Sequence, residues 1–418
     1  MKSYYLFVLL LSGLVLGCKK EKDAPKPEVL PNVELSLNVN PGNTSVKTAE
    51  IIISELEGKK LLDTVVTTYQ MQRVKVRSQA ANFIITVIYK LPGFEKFYMN
   101  SYVQVRPNNW EIRTNSSFEY ASPNKIPAFE QATLKYTKYP FSPDNKFRFT
   151  DSYGSGGGGT TLNLFYRELT VNYEKHTGRN FTYLLIPTIN KYKIAEVTTN
   201  NSVIDLAQME TGTRLKFKTS PDNLQKGVTN LFGYPLANNF ENFLWLHFSS
   251  DLNIANDVDL IYPAKQLPHF RLTTTFFDAS SNIYEYFSLA DSVPSRLNFI
   301  DDSFIKINTK TYDQVDIEFL KEAPTYYAAQ WMDANNELEW YVILPPGVTT
   351  FKAKEFFTSL GSTLLQGKSY PALRLNRLVL EKADNLTFGS FFDIVFREGI
   401  IPKDDKVKVS NKFYKSIR

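Results

Sequence analysis

The stretch TYYAAQWMDANNELEWYVIL, residues 325–344, carries the clearest structural signal in the chain. Two apolar and aromatic segments, Thr325 to Met332 and Glu337 to Leu344, flank the polar sequence Asp333-Ala334-Asn335-Asn336. Aromatic and β-branched residues favour strands, whereas Asp and Asn favour turns because their side chains hydrogen-bond to the nearby backbone. The stretch therefore predicts a β-hairpin.

Successive side chains of a strand point to opposite faces of its sheet, so the hairpin sorts its residues into two sets. With an even number of loop residues, one face holds Tyr327, Ala329, Trp331, Leu338, Trp340 and Val342. A tryptophan beside leucine and valine is usually buried. We therefore expect this face to lie in the core.

The opposite face of the hairpin holds Tyr326, Gln330, Glu339 and Tyr341. Tyrosine rings together with amide and carboxylate groups are the mixture that a carbohydrate or peptide site uses. We predict that these four residues bind a ligand. The alternative is a solvent-facing surface that happens to hold two tyrosines.

The same period of two extends over most of the chain. Residues Val33 to Val39 alternate apolar and polar side chains and lead into a turn at Asn40-Pro41-Gly42-Asn43. Aromatic residues make up 14% of the sequence, with 31 Phe and 24 Tyr, and this composition favours strands. We predict a predominantly all-β protein with at most one or two short helices, the clearest of them between Phe351 and Gln366.

Prolines in polar surroundings divide the chain into regions. They occur at Ser122 to Pro127 and again at Pro263 and Pro268, where they interrupt both helix and sheet patterns. Strand signals about every ten residues in the first region resemble an immunoglobulin-type β-sandwich. We predict tandem β-sandwich modules: an immunoglobulin-like one at 32–121, a β-rich middle domain at 122–268 and a β-rich C-terminal domain at 269–418.

A glycine run at Gly154-Ser155-Gly156-Gly157-Gly158-Gly159 resembles a phosphate-binding loop only superficially. It lacks the Gly-Lys-Ser/Thr ending of that motif, and no helical pattern follows it. Glycine more often supplies conformational freedom to a turn, so we predict a flexible hairpin tip. The residues that follow, Leu162 to Tyr173, are predicted to form a strand.

The beginning of the chain has the layout of a secretory signal. A lysine precedes an apolar run from Tyr4 to Leu11, and small residues precede the only cysteine, Cys18. The run is too short to span a bilayer, which needs about 20 apolar residues. Val15-Leu16-Gly17-Cys18 resembles the lipobox of bacterial lipoproteins, which implies a signal peptide at 1–18, cleaved before Cys18, and lipidation of the Cys18 thiol. An ordinary cleaved signal is the alternative.

Residues 19–31 are charged and then proline-rich, which predicts an extended tether. The charges after Cys18 resemble the surface-export signals of Bacteroidetes-type lipoproteins, although lysine is more prominent here. A solvated spacer is the alternative. We expect a chain anchored in the cell envelope through lipidated Cys18, at the outer membrane and either periplasmic or surface-exposed.

Composition and motifs disfavour several functions. The chain has 48 basic and 43 acidic residues, so it lacks the basic field that nucleic acids require. His176, His247 and His269 are far apart and match no zinc or nucleophile motif. The oxygen-rich stretch from Asp251 to Asp259 lacks the glycine and glutamate of a calcium loop, so a solvated turn is expected there. We predict no metal, no cofactor and no catalytic residue.

Three functions remain compatible with this sequence. The first is a tethered binding protein that recognises a polysaccharide or another envelope protein. The second is a structural component of an envelope complex. The third is a glycoside hydrolase or peptidase, for which Asp301-Asp302, Asp404-Asp405 or Glu337 with Glu339 would be the candidate carboxylates.

Overall fold

The computed structural model describes residues 33–40, 46, 48–67, 71–90, 93, 95–113, 127–154, 156–216, 218–249, 259–366, 373–393 and 408–417. The predicted signal peptide with Cys18, the tether at 19–31 and the stretch 251–258 lie outside these ranges. Within them, nearly all regular structure is strand. The prediction of an all-β protein is confirmed.

The first seven strands form a two-layer unit, the N-terminal sandwich. Its strands are β1 (Val33–Asn40), β2 (Thr48–Glu55), β3 (Lys60–Thr67), β4 (Gln72–Ser78), β5 (Phe83–Lys90), β6 (Phe97–Val105) and β7 (Asn109–Arg113). One layer has the order β4-β1-β7, and the other has the order β6-β5-β2-β3. Three strands packed on four, with β1 parallel to β7, form the immunoglobulin-like arrangement that the strand spacing predicts.

The next eight strands form the middle sandwich. They are β8 (Phe129–Thr137), β9 (Arg148–Asp151), β10 (Gly159–Asn163), β11 (Glu168–His176), β12 (Asn180–Ile186), β13 (Lys191–Val197), β14 (Asn201–Asp205) and β15 (Glu210–Thr211). The two layers have the orders β10-β11-β8-β14 and β15-β13-β12-β9. A compact apolar core, which includes Leu134, Tyr136 and Leu184, fills the space between them.

The remaining strands are β16 (Thr213–Lys216), β17 (Lys218–Ser220), β18 (Lys226–Tyr234), β19 (Leu244–Ser249), β20 (Asp259–Tyr262), β21 (His269–Phe277), β22 (Ile283–Ala290), β23 (Arg296–Asn298), β24 (Ile305–Lys310), β25 (Val315–Phe319), β26 (Tyr326–Met332), β27 (Leu338–Leu344), β28 (Thr350–Phe351), β29 (Arg374–Ala383) and β30 (Val409–Ser416). Two short helices accompany them, α1 (Ala353–Leu360) and α2 (Phe388–Asp393). These two are the α-helices of the described residues, which agrees with the prediction of one or two.

A twelve-stranded sheet, the large sheet, combines four strands of the N-terminal sandwich with eight strands from the later part of the chain. Its order is β19-β18-β21-β22-β30-β29-β26-β27-β6-β5-β2-β3. The junction is the parallel pair β27 and β6, in which Trp340 is opposite Met99. The Trp340 indole N–H also donates to the Ser101 hydroxyl at 3.1 Å. The large sheet therefore contains strands from all three of the regions that the sequence predicts, on both sides of the boundaries at residues 121 and 268.

The hairpin at 325–344 lies in the middle of the large sheet. β26 and β27 are antiparallel, and Trp331 is opposite Trp340, with ring centroids 4.9 Å apart. Both tryptophans are fully buried, and Phe356 of α1, which is 8% exposed, belongs to the same core. The prediction that this face of the hairpin lies in the core is confirmed.

A second core covers the other face of the large sheet. It is built from the β4-β1-β7 layer, helix α2 and those residues of β2, β5, β26 and β29 whose side chains point away from the first core. Phe391 and Phe392 of α2 belong to this core and are buried. Both faces of the sheet are therefore covered in its central part.

The glycine run connects two different sheets. β9 before it pairs with β12, whereas β10 after it pairs with β11 in the opposite layer of the middle sandwich. The prediction of a hairpin tip is therefore wrong, because strands in different layers cannot form a hairpin. The freedom of glycine is used in this crossover, where Gly154 and Gly157 have φ of 77° and 73°.

None of the helices among the described residues is long and apolar enough to cross a bilayer.

Candidate functional site

Tyr326, the first of the predicted ligand-binding residues, is packed inside the protein. Its side chain is 5% exposed, and its ring stacks on Phe391 of α2 with centroids 4.2 Å apart. Its hydroxyl donates to the carboxylate of buried Glu381, which also pairs with the Lys412 ammonium at 2.9 Å. Tyr326 thus fastens α2 to the sheet.

The other three predicted residues lie together on β26 and β27. The Gln330 amide, 4% exposed, donates to the Glu339 carboxylate at 2.7 Å, and Lys96 pairs with the same carboxylate at 2.5 Å. The side-chain oxygen of Gln330, Oε1, accepts from the side-chain amide of Asn376 at 3.2 Å. Burial, with Glu339 beside it, raises the pKa of Tyr341, so its hydroxyl stays protonated.

These contacts narrow the predicted surface. Tyr326 packs in the second core beneath α2, and Gln330 is buried on the same face of the sheet by its contacts with Glu339 and Asn376, so neither side chain is open to solvent. Glu339 and Tyr341 remain half-buried. Ligand binding at these last two residues stays a prediction.

A different surface, at one end of the middle sandwich, has the most exposed aromatic side chains of the described residues. The turn between β10 and β11 carries Leu164, Phe165 and Tyr166, which are 44%, 87% and 66% exposed. Phe141, 76% exposed, lies beside them. We call these four residues the aromatic turn. Apolar residues are uncommon at turn tips, which usually hold Gly, Asn or Asp, so their display requires an explanation.

Hydrogen bonds hold the aromatic turn in one conformation. The Asn163 side chain accepts from the Tyr166 N–H at 3.1 Å, and the Arg167 N–H donates to the Leu164 carbonyl at 3.3 Å. Arg167 has a left-handed φ of 55°, which non-glycine residues seldom adopt. The Arg167 guanidinium compensates by donating to the Tyr139 carbonyl at 2.9 Å, and the Tyr139 N–H donates back to the Arg167 carbonyl at 2.8 Å.

The loop that carries Phe141 is equally fixed. Pro140 and Pro143 flank the exposed ring and restrict the backbone. The Asp144 carboxylate accepts from the Thr188 hydroxyl at 2.6 Å and from the Lys146 N–H at 3.2 Å, and these bonds lower its pKa. The Phe141 ring is therefore presented to solvent by a loop that is itself bonded in place.

The geometry of the rings limits what the aromatic turn can recognise. The Phe165 and Tyr166 rings meet edge to face, with centroids 4.9 Å apart and an interplanar angle of 90°. The Arg167 guanidinium lies over the Phe141 ring, 5.3 Å from its centroid. The Phe165 and Tyr166 rings thus present no shared flat face, and both project into solvent as an apolar tip. Such a tip suits insertion into a concave apolar partner.

No pattern in the sequence predicts this surface. The residues at 162–173 read as one strand, but the chain reverses at Leu164 to Arg167. No glycine or proline marks the reversal, and Asn163 is the single turn-forming residue near it. The one available signal is that asparagine placed before three consecutive apolar residues.

The candidate catalytic groups are engaged elsewhere. Asp301 caps a turn by accepting from the Ser303 N–H at 2.9 Å, and Asp302 pairs with Lys415. His269 contacts Asp291 through Nδ1 and the Ala237 carbonyl oxygen through Nε2, so both of its ring nitrogens are engaged. Within the described ranges, no three His, Cys, Asp or Glu residues are grouped as metal ligands. Asp404 and Asp405 lie outside these ranges.

Comparison with known proteins gives no family for this chain. No family model matches it, and no curated protein matches it. A crystal structure of a putative adhesin from Bacteroides ovatus is 12% identical over 41% of this chain and 77% of its own, with a TM-score of 0.14. The D1–D4 ectodomain fragment of ICAM-5 is 12% identical over 64% of this chain and 74% of its own, with a TM-score of 0.15. Likenesses with such TM-scores carry no argument about this protein.

Proposed function

We propose that this protein is a non-catalytic interaction module of the cell envelope, which docks onto a partner protein through the aromatic turn. The observation that carries the proposal is the rigid display of Phe141, Phe165 and Tyr166 to solvent. Exposed apolar clusters on soluble domains are usually interaction sites, and aromatic side chains dominate the binding energy of protein interfaces.

A protein partner fits the aromatic turn better than a polysaccharide does. A sugar ring stacks on a flat aromatic face and needs hydrogen-bonding side chains around it. The Phe165 and Tyr166 rings are perpendicular, and the Asn163 side chain is already bonded to the Tyr166 N–H. A concave apolar pocket of a protein would accept the tip without these requirements.

The size of the aromatic turn sets its role. Aromatic side chains bury about 150–250 Å² each, so docking would bury roughly 400 Å² of apolar surface here. At about 25 cal/mol per Å², this contributes roughly 10 kcal/mol, against an association cost of about 4–15 kcal/mol. The aromatic turn is therefore an anchor, and contacts around it must supply the rest of the affinity.

Site-specific crosslinking tests the proposal directly. A photoreactive phenylalanine analogue at position 165 should crosslink to an envelope protein in intact cells, identified by mass spectrometry. The matched control is the same analogue at Val203, which is 66% exposed on β14, a strand whose own sequence contains no aromatic residue. Equal crosslinking from both positions, or none from position 165, would refute docking through the aromatic turn.

The structural-component alternative makes a different prediction for the same material. A structural subunit should co-purify with one envelope complex at fixed stoichiometry, and Phe165→Ser should release it. A binding module should instead be recovered in variable amounts that depend on how much partner is present. Quantitative mass spectrometry of the purified complexes separates the two.

We also propose that the mature chain is a lipoprotein held on a membrane by acylated Cys18. The lipobox-like sequence Val15-Leu16-Gly17-Cys18 supports this anchor. Each acyl methylene that enters the bilayer contributes about 0.8 kcal/mol, and stable anchoring takes two signals such as two chains. Mass spectrometry of the envelope fraction should find a chain that starts at Cys18 and carries acyl groups. A chain that retains residues 1–17 would contradict the proposal.

A further inference from the structure

The N-terminal sandwich has an open cavity of about 590 Å³ on its surface at one end, and most of the side chains that line it are exposed. Two turns form its walls, the β2–β3 turn at Glu55–Lys59 and the β4–β5 turn at Ser78–Asn82. Loops at the end of such a sandwich are the usual binding positions of immunoglobulin-like modules. The volume is within the range of about 300–1,000 Å³ that small-ligand sites have.

One hydrogen bond between the two turns, together with contacts within each turn, holds the cavity in shape. The Ser78 hydroxyl donates to the Glu55 carboxylate at 2.6 Å and accepts from the Ala80 N–H at 3.1 Å. Lys59 pairs with the same carboxylate at 3.5 Å. Gly58 closes the first turn with a φ of 87°, which other residues seldom adopt. The walls are therefore preorganised, which lowers the entropic cost of binding.

Three side chains on these walls have unused hydrogen-bonding groups. Glu57, Gln79 and Asn82 line the cavity and bond to no other side chain or backbone group in the described part of the chain. Together they offer a carboxylate acceptor and two amides, each of which can both donate and accept. Planar groups of this kind match the paired hydroxyls of a sugar.

The charges around the cavity disfavour an anionic ligand. Lys59 pairs with Glu55, whereas Arg77 pairs at 3.2 Å with Glu34 outside the lining, so the carboxylate of Glu57 leaves the lining weakly acidic. Leu56 and Leu61 add a small apolar patch against which the C–H groups of a sugar ring can pack. No aromatic ring is found among the described residues of the lining, so hydrogen bonds would supply most of the affinity.

We propose that this cavity binds a short neutral oligosaccharide, with Glu57, Gln79 and Asn82 as the groups that contact its hydroxyls. The site is separate from the aromatic turn and does not depend on the function proposed for that surface. The protein would then hold a glycan through its N-terminal sandwich and a partner protein through its middle sandwich.

Saturation-transfer NMR on the whole mature chain tests the cavity, with Cys18→Ala so that the protein stays in solution. The probes are cellotriose, maltotriose, mannotriose and chitotriose at millimolar concentration. At least one should receive saturation, and Gln79→Ala with Asn82→Ala should reduce its affinity at least fivefold. Asn201→Ala, which removes an exposed amide on β14, is the matched control and should have no effect.

Two outcomes would overturn the proposal. One is the absence of saturation transfer to all four sugars. The other is transfer that the double variant leaves unchanged. Phe165→Ser should not alter sugar binding, so failure of the aromatic turn as a docking site and failure of the cavity as a sugar site are distinguished.

Discussion

Arg148 and His247 connect the middle sandwich to the edge of the large sheet. The Arg148 guanidinium on β9 donates to Nδ1 of His247 on β19 at 2.9 Å, which assigns the remaining ring proton of neutral His247 to Nε2. His247 is 5% exposed. Burial, with the Arg148 cation beside it, lowers the pKa of His247 to about 3.

This contact predicts loss of stability in acid. His247 has a pKa of about 3 in the folded protein and about 6.5 when unfolded, so protons bind preferentially to the unfolded chain below pH 6.5. The stability that depends on neutral His247 is fully present above pH 6.5 and is lost progressively as the pH falls toward 3. At pH 5 the loss should be about 2 kcal/mol, since one pKa unit corresponds to about 1.4 kcal/mol.

Urea denaturation at pH 7.5, 6 and 5 measures this loss. His247→Gln keeps a polar acceptor for Arg148 but cannot titrate, so the variant should lose about 2 kcal/mol less than the natural chain over the same range. If both proteins lose stability in parallel, His247 is not the group responsible.

The glycine run provides a second test at the same junction. Gly154 has a φ of 77°, and a Cβ there would lie 2.7 Å from the Phe243 ring. Gly154→Ala should lower the free energy of unfolding by about 1–3 kcal/mol, through backbone strain and overlap with Phe243. Chemical denaturation measures the change. Gly156 has open space around it, so Gly156→Ala is the control and should stay within about 0.5 kcal/mol.

Glu50 of the N-terminal sandwich accepts hydrogen bonds from the segment after α1 and so holds the two together. Its fully buried carboxylate accepts from the Ser362 hydroxyl and from the N–H groups of Thr363 and Leu364 at 2.6 and 3.1 Å. Glu50→Ala removes the acceptor for both backbone donors and should cost about 2–4 kcal/mol in thermal or urea unfolding. Glu50→Gln retains one oxygen and should cost clearly less. Equal effects would show that burial of the side chain matters more than its acceptor.

The aromatic turn should separate binding from stability. Phe165 is 87% exposed, so Phe165→Ser should change the free energy of unfolding by less than about 0.5 kcal/mol while abolishing capture of the partner. Arg167→Ala removes the bond to the Tyr139 carbonyl and should cost about 1 kcal/mol. Urea denaturation of the two variants checks the difference. A large destabilisation by Phe165→Ser would mean that the ring supports the fold.

Local patterns in the sequence are sufficient for the all-β class and for the core side of the central hairpin, but not for every strand boundary, since the chain reverses inside the predicted strand at 162–173. The period of two places Trp331 and Trp340 on one face, and both are fully buried there. A strand assigns its side chains to two faces by geometry alone, so this part of the fold requires no knowledge of distant residues.

Tertiary structure decides what covers the opposite face of the hairpin. Alternation indicates which residues share a face but not what covers it, and helix α2 with Phe391 is more than 40 residues from Met332 in the chain. Tyr326 therefore resembles a ligand-binding residue in the sequence and packs beneath α2 in the fold. Its hydroxyl is satisfied by Glu381, a partner that no local pattern identifies.

The sequence by itself thus determined an all-β chain, its alternating strands and the apolar face of its central hairpin, because these follow from neighbouring residues. Tertiary structure alone decided the parallel pairing of β6 with β27 and the display of Phe165 at a chain reversal. Both depend on contacts between residues far apart in the chain, such as Arg167 with Tyr139. Such contacts form only when the sheets assemble, and side-chain periodicity contains no record of them.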